Sequence, residues 1–199
     1  MIDRSRVTEA IALAGLLLSI SEAIHPLGDQ LLQSSADAKA KDMRGRHLVY
    51  RADGTPVDER PQPPGDQART CTASAYGRQA VRRHVTSYTA AQLATAIAVT
   101  RALGYRVPTH ALLAGAAITA TTHAIIDRRA PLLWLAKKAR KDGYIAHATV
   151  VRRIDPEHGP VVDTSGPGTA LMEIDQAVHR AINIVTAATT TWLALRRTR

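Results

Sequence analysis

"HPLGDQLLQ", residues 25–33, closes an apolar stretch and places His25 four residues before Asp29. "HAIID" repeats the interval with His123 and Asp127, and "DQAVH" reverses it with Asp175 and His179. Residues four apart lie on one face of an α-helix, a turn apart, so each pair can aim both side chains at one point. Core-type residues flank every pair: Leu27 and Leu31, Ile125 and Ile126, Ile174 and Val178. Polar groups on a buried face need partners. A single His–Asp pair is satisfied by its own hydrogen bond. Three pairs on three separate helices point instead to a helical bundle with side chains converging on its axis.

The rest of the chain supplies those helices. Residues 7–24 read as a helix, and Pro26 disfavours helical geometry at His25, so a second helix is expected over 26–42 with Pro26 in its first turn. A helix is expected from about 73 to 103, ending at Gly104, another from Pro108 to Asp127, a basic one from Pro131 to Gly143, and a last one over 169–196. Two segments alternate like strands. Residues 46–60 contain the turn signal Asp53-Gly54, and residues 145–164 turn around Pro156–Gly159. Residues 60–67, "RPQPPGDQ", read as a loop. The expected fold is mainly α: one domain over residues 1–199, a helical bundle-like core with two small β-hairpin insertions.

Composition narrows the partners. There is no Phe among 199 residues, so small aliphatic side chains and Thr fill the core and helices can approach closely. The formal charge of +9 fits a polyanionic partner, an anionic substrate, nucleotide, nucleic acid or membrane surface, or simply a basic surface. Cys71 is the only cysteine, which rules out an intramolecular disulfide and a thiolate metal cage. No secretion signal is read at the start, and a cytoplasmic location is expected. Residues 107–126 carry no Asp, Glu, Lys or Arg and are long enough to span a bilayer. Their His and Thr content favours a soluble core, with a membrane location as the alternative.

The chemistry follows from the pairs. Imidazole nitrogen with carboxylate oxygen suits zinc, manganese or iron. His84, in "RRHVTSYTAAQ", adds a candidate from a fourth helix. The expected metal set is therefore His25, Asp29, His84, His123, Asp127, Asp175 and His179. That is too many ligands for one tetrahedral ion and enough for two, or for one with supporting partners. Asp37 and Asp42 read as solvated helix charges. His47, His110, His147 and His158 lack a partner at helical spacing and read as exposed. No phosphate loop, nucleophile elbow or Cys–His arrangement is present.

The ordered set of motifs over residues 25–179 resembles the bacterial domain of unknown function 3307 family, small helical proteins usually described as membrane proteins. On that resemblance Gln33 extends the first motif, Lys39 or Lys41 supplies its lysine, Tyr88 follows His84, and Gln176 lies within the last motif. The resemblance implies no activity. The residues themselves suggest metal-dependent hydrolysis of a phosphodiester or nucleotide, since a bound cation acidifies its water and neutralises phosphoryl charge. Asp29, Asp127 and Asp175 would do the catalytic work. Gln33, Lys39, Arg82, Arg83, Tyr88 and Lys137 would hold the anionic substrate. The alternative is a non-enzymatic basic protein on nucleic acid or at a membrane, with a structural His/Asp site.

Overall fold

The computed structural model describes residues 4–59 and 65–196. Four long helices form the body: α1 (Arg4–Leu27), α3 (Ala73–Ala102), α4 (Thr109–Ile126) and α7 (Ala170–Leu195). α4 packs on α7, α7 on α1, α1 on α3 and α3 on α4, which closes a four-helix ring. Short helices α2 (Ser35–Ala40), α5 (Ala130–Lys138) and α6 (Asp142–His147) fill the connections. Side-chain caps fix three starts: Ser34 for α2, Thr72 for α3 and Thr169 for α7 each accept a backbone N–H three residues on.

Pro26 does not divide the first helix as expected. α1 runs through it and continues as a π-helical turn over Gly28–Leu32, closed by Gln33 N–H on the Gly28 carbonyl at 3.1 Å. Proline lacks one N–H, and the widened turn absorbs the resulting misfit. Asp29 thereby sits on a wider turn than His25.

The mainly α fold with two small antiparallel sheets matches the expectation, although the first sheet is built differently. Asp53-Gly54 does make a tight turn: Gly54 takes φ +79°, and Val49 bridges Pro56. But β1 (Leu48–Tyr50) pairs antiparallel with β2 (Thr70–Thr72), a distant strand, rather than within 46–60. The loop expected at 60–67 lies partly outside the described residues, and Gly65–Ala68 form a 3-10 turn. The second insertion is a hairpin, β3 (Val150–Asp155) with β4 (Gly159–Asp163), with α6 covering residues expected in its first arm. The basic helix stops at Lys138, short of Gly143.

The bundle interior changes character along its length. At one end Leu13, Leu17, Val107, Ala111 and Ala187 form an apolar cluster. In the middle α4 and α7 meet through small residues, with Gly115 against Thr190 and Thr119 Oγ1 3.4 Å from Thr186 Oγ1. These threonines face inward, so they do not argue for a watery surface. Outward positions instead hold Ile11 (68 % exposed), Leu113 (57 %), Ile184 (57 %) and Trp192 (52 %). The stretches Arg4–Leu32 and Thr109–Ile126 are long and apolar enough to cross a bilayer. At the other end the apolar core gives way to the histidines.

Candidate metal centre

All seven expected ligands meet at that end. His25 comes from the last turn of α1, Asp29 from the π turn, His84 from α3, His123 from α4, Asp127 just beyond it, and Asp175 and His179 from α7. His25, His84, His123, Asp127 and His179 are all buried. His84 Nε2 lies 3.0 Å from His123 Nε2, and Asp29 Oδ1 is 3.2 Å and 3.8 Å from these nitrogens. Asp127 Oδ2 lies 3.5 Å from each of the same two nitrogens. Two triangles of donor atoms thus share the His84–His123 edge. With ligand bonds of about 2.1 Å, a tetrahedral cation spaces its donors about 3.4 Å apart, inside the observed range. His123, Asp127 and His179 make a further group close enough to share an ion. His25 and Asp175 stand beside these groups rather than within them.

Polar atoms at the centre are left without partners. His25 Nε2, Asp29 Oδ1, Asp127 Oδ2 and His179 Nε2 are buried and make no hydrogen bond. A buried polar atom without a partner costs stability, and a cation would satisfy several that converge on one space. His179 is set up for this: Nδ1–H donates to the Asp175 carbonyl at 2.9 Å, which leaves the Nε2 lone pair facing inward. Asp175 Oδ2 is also 3.5 Å from that Nδ1.

His25 is held differently. Its Nδ1 lies 3.0 Å from the Tyr88 hydroxyl, which also accepts from Gln92 Nε2 at 3.0 Å. With its acceptor side taken, the phenol gives its own proton to His25 Nδ1. The proton of the neutral ring then sits on Nε2, 3.5 Å from Asp29 Oδ2, where it orients the carboxylate. Reversal of the Gln92 amide would reverse the chain and free Nε2 for a cation. Gly28 permits this layout, because a β-carbon there would collide with the Tyr88 ring.

Lys41 and the histidines hold the carboxylates of the cluster in their ionised form. Burial raises the Asp29 carboxyl, but nearby His84, His25, His123 and Lys41 outweigh it and bring it down to about 2. The same contest, won by His123, Lys41 and His84, holds Asp127 below the usual carboxylate range. Burial lowers His25 and His123, favouring neutral imidazole, the ligand form. Burial also opposes charge on His179, but Asp175 overrides it and raises its pKa. Burial, then Asp29, keeps Tyr88 a phenol. Lys41 Nζ reaches Asp127 Oδ1 at 3.2 Å.

A cavity of about 680 Å³ opens over the cluster, lined among others by His25, Asp29, Gln33, Lys41, Asp127 and Asp175. Seven acidic residues line it against Lys41, Arg129 and Arg180. Arg129 is held at φ +60°, an uncommon region for a non-glycine residue, with Nη1 2.6 Å from Asp42 Oδ2.

Of the expected substrate contacts, Gln33 lines the cavity and Tyr88 supports His25. The others are corrected. Lys41, not Lys39, reaches the site; Lys39 is exposed and outside the cavity lining. Arg83 is spent on Asp37, which is buried rather than solvated. Lys137 is exposed on α5 outside the lining, and Arg82 faces a different groove. Asp42 is ion-paired rather than free in solvent. Gln92, Arg129 and Arg180 were missed. Gln92 does lie four residues after Tyr88, on the same helical face.

Comparison with family models, with curated proteins and with solved structures finds no match, so the reading of the site rests on its geometry.

Proposed function

We propose that the cluster holds one or two divalent cations, zinc, manganese or iron, and that the protein is a metal-dependent hydrolase acting on a phosphodiester or nucleotide. The observation that carries this is the pair of donor triangles on His84 and His123, beside a cavity that receives Asp29, Asp127 and Asp175. His84, His123, His179, Asp29 and Asp127 supply the ligands. A bound cation acidifies its water and offsets the acidic lining, which would otherwise repel a phosphate ester.

The chain's own groups do the rest. Asp175 is the general base, since it lines the cavity and stands outside the tight donor groups. It takes a proton from water as the water oxygen bonds to phosphorus and the P–O bond to the leaving group breaks, and that proton then passes through solvent in the cavity to the departing alkoxide, which leaves as the alcohol. Gln176 steadies the acids, with Nε2 3.5 Å from Asp29 Oδ2 and 3.4 Å from Asp175 Oδ2. Lys41, Arg129 and Arg180 line the cavity, each beside a carboxylate, and would offset charge on the phosphoryl oxygens.

The rival reading is a membrane- or nucleic-acid-associated protein with a structural ion. Its support is the apolar outer face that includes Ile11, Leu113 and Trp192. Metal-stripped protein, reloaded with manganese, zinc or magnesium, is assayed on bis(p-nitrophenyl) phosphate, cyclic nucleotides and nucleotides. Turnover that needs the ion, is nearly abolished in Asp127→Asn and is lost in Asp175→Asn with the ion still bound supports the hydrolase. Absence of turnover on every substrate, with Asp127→Asn releasing the ion and lowering the melting temperature, supports the rival.

A further inference from the structure

A second groove of about 590 Å³ lies between α3 and the end of α4 and shares no lining residue with the cavity over the histidines. Arg44, Arg78, Arg82 and Arg128 line it, and among the described residues no carboxylate does. By contrast, Arg83 has Asp37, Arg129 has Asp42 and Arg152 has Asp163. Arg78 and Arg82 stand one turn apart on α3, both exposed, and among the described residues neither has a hydrogen-bond or ion-pair partner.

The groove is built rather than incidental. Arg128 is pinned against α3, with Nη1 2.8 Å from the Lys41 carbonyl and Nη2 2.8 Å from the Met43 carbonyl. Gly77 makes room for it: a β-carbon there would collide with the guanidinium and lie 2.6 Å from the Met43 oxygen. Arg44 in turn donates to the Arg128 carbonyl. Val81, Val85 and Ala124 supply an apolar wall. Converging like charges repel, and a low-dielectric wall strengthens the repulsion. Planar guanidinium forks match the oxygens of a phosphate.

We propose that this groove is a phosphate-binding site, separate from the metal centre, that takes a phosphate group carrying two or more negative charges. The site does not depend on the hydrolase reading, because it needs neither the ion nor turnover. Arg128 directly follows Asp127, and Lys41 contributes its carbonyl to Arg128 and its ammonium to Asp127.

Metal-stripped protein is titrated with sodium pyrophosphate by calorimetry at about 0.15 M salt, where long-range attraction is screened. The full chain is compared with Arg78→Gln/Arg82→Gln and with a control of equal charge, Lys137→Gln/Lys138→Gln on α5. One-to-one binding, weakened roughly tenfold or more in the groove variant and within about twofold of the parent in the control, is expected from the loss of two charge-assisted contacts. A second arm uses phosphatidic acid vesicles, whose phosphomonoester headgroup can carry a second negative charge, against phosphatidylcholine vesicles. Binding to the first alone, lost in the groove variant and kept in the control, identifies a lipid headgroup as the source of the phosphate. Equal weakening in the two variants, or no binding to either probe, overturns the site.

Discussion

Tyr88→Phe tests the way the cluster is held. The Tyr88 side chain is 1 % exposed, and its hydroxyl is the hydrogen-bond partner of both His25 Nδ1 and Gln92 Nε2, each at 3.0 Å. Phe keeps the ring, so the substitution opens almost no cavity and leaves Gly28 in the same contact. It leaves two buried polar atoms unpaired, at a cost of about 1–3 kcal/mol each before relaxation. Gln92 can turn to find another partner, so a total of about 2–4 kcal/mol is expected. In a chain of this size that lowers the melting temperature by about 5–15 °C. The His25 ring also loses its anchor, so Asp29 is less well oriented. Affinity for zinc should fall about 10–100-fold, as for other partners that orient a metal site. Urea melts of metal-stripped protein measure the first effect, and competition with a chromophoric chelator measures the second. A variant whose unfolding free energy in urea lies within about 0.5 kcal/mol of the parent and that binds zinc with unchanged affinity would show that the Tyr88 hydroxyl does not hold the cluster.

Three further outcomes are expected. Lys41→Met leaves the buried Asp127 carboxylate without its ammonium partner, which should destabilise metal-stripped protein by about 2–4 kcal/mol; zinc should restore much of it, and a melt with and without zinc checks this. Gly28→Ala drives a methyl group into the Tyr88 ring and should cost about 1–3 kcal/mol in urea unfolding, more than an ordinary surface change. Chelation should lower the melting temperature of the parent and leave Asp127→Asn, already poor in metal, nearly unmoved.

The site was more legible in the sequence than the chain that surrounds it. The repeated four-residue interval names His25/Asp29, His123/Asp127 and Asp175/His179, because helical periodicity converts sequence spacing directly into a shared face. α3 was legible for the same reason, with an expected span of 73–103 against Ala73–Ala102. What failed depends on distant parts of the chain. Pro26 reads as a boundary, but a π turn and the packing of Gly28 on Tyr88 carry the helix past it. The Asp53-Gly54 turn was visible, whereas the pairing of Val49 with Cys71 is non-local and leaves no local signature. Lys39 and Lys41 differ by half a turn of α2, and only the position of α2 against α3 decides which one reaches Asp127. Arg82 and His84 are two residues apart, yet Arg82 lines the groove beside Arg78 while His84 is buried in the histidine cluster, so closeness in sequence misplaces Arg82. Thr119 of α4 and Thr186 and Thr190 of α7 pack between helices, where small polar side chains allow close approach, whereas Thr109 and Thr121 are exposed; periodicity alone does not separate the two groups.

The proposed metal centre requires that His84, His123, Asp29 and Asp127 hold a cation. The direct measurement is an anomalous-scattering map from crystals grown with zinc or manganese, with data on both sides of the absorption edge. A peak is expected bonded to His84 Nε2 and His123 Nε2 at about 2.0–2.2 Å with at least one of the two carboxylates completing it, and a second peak near His179 if two ions bind. A map with no peak in the cluster at saturating metal, with the imidazoles and carboxylates joined only to each other, would contradict it.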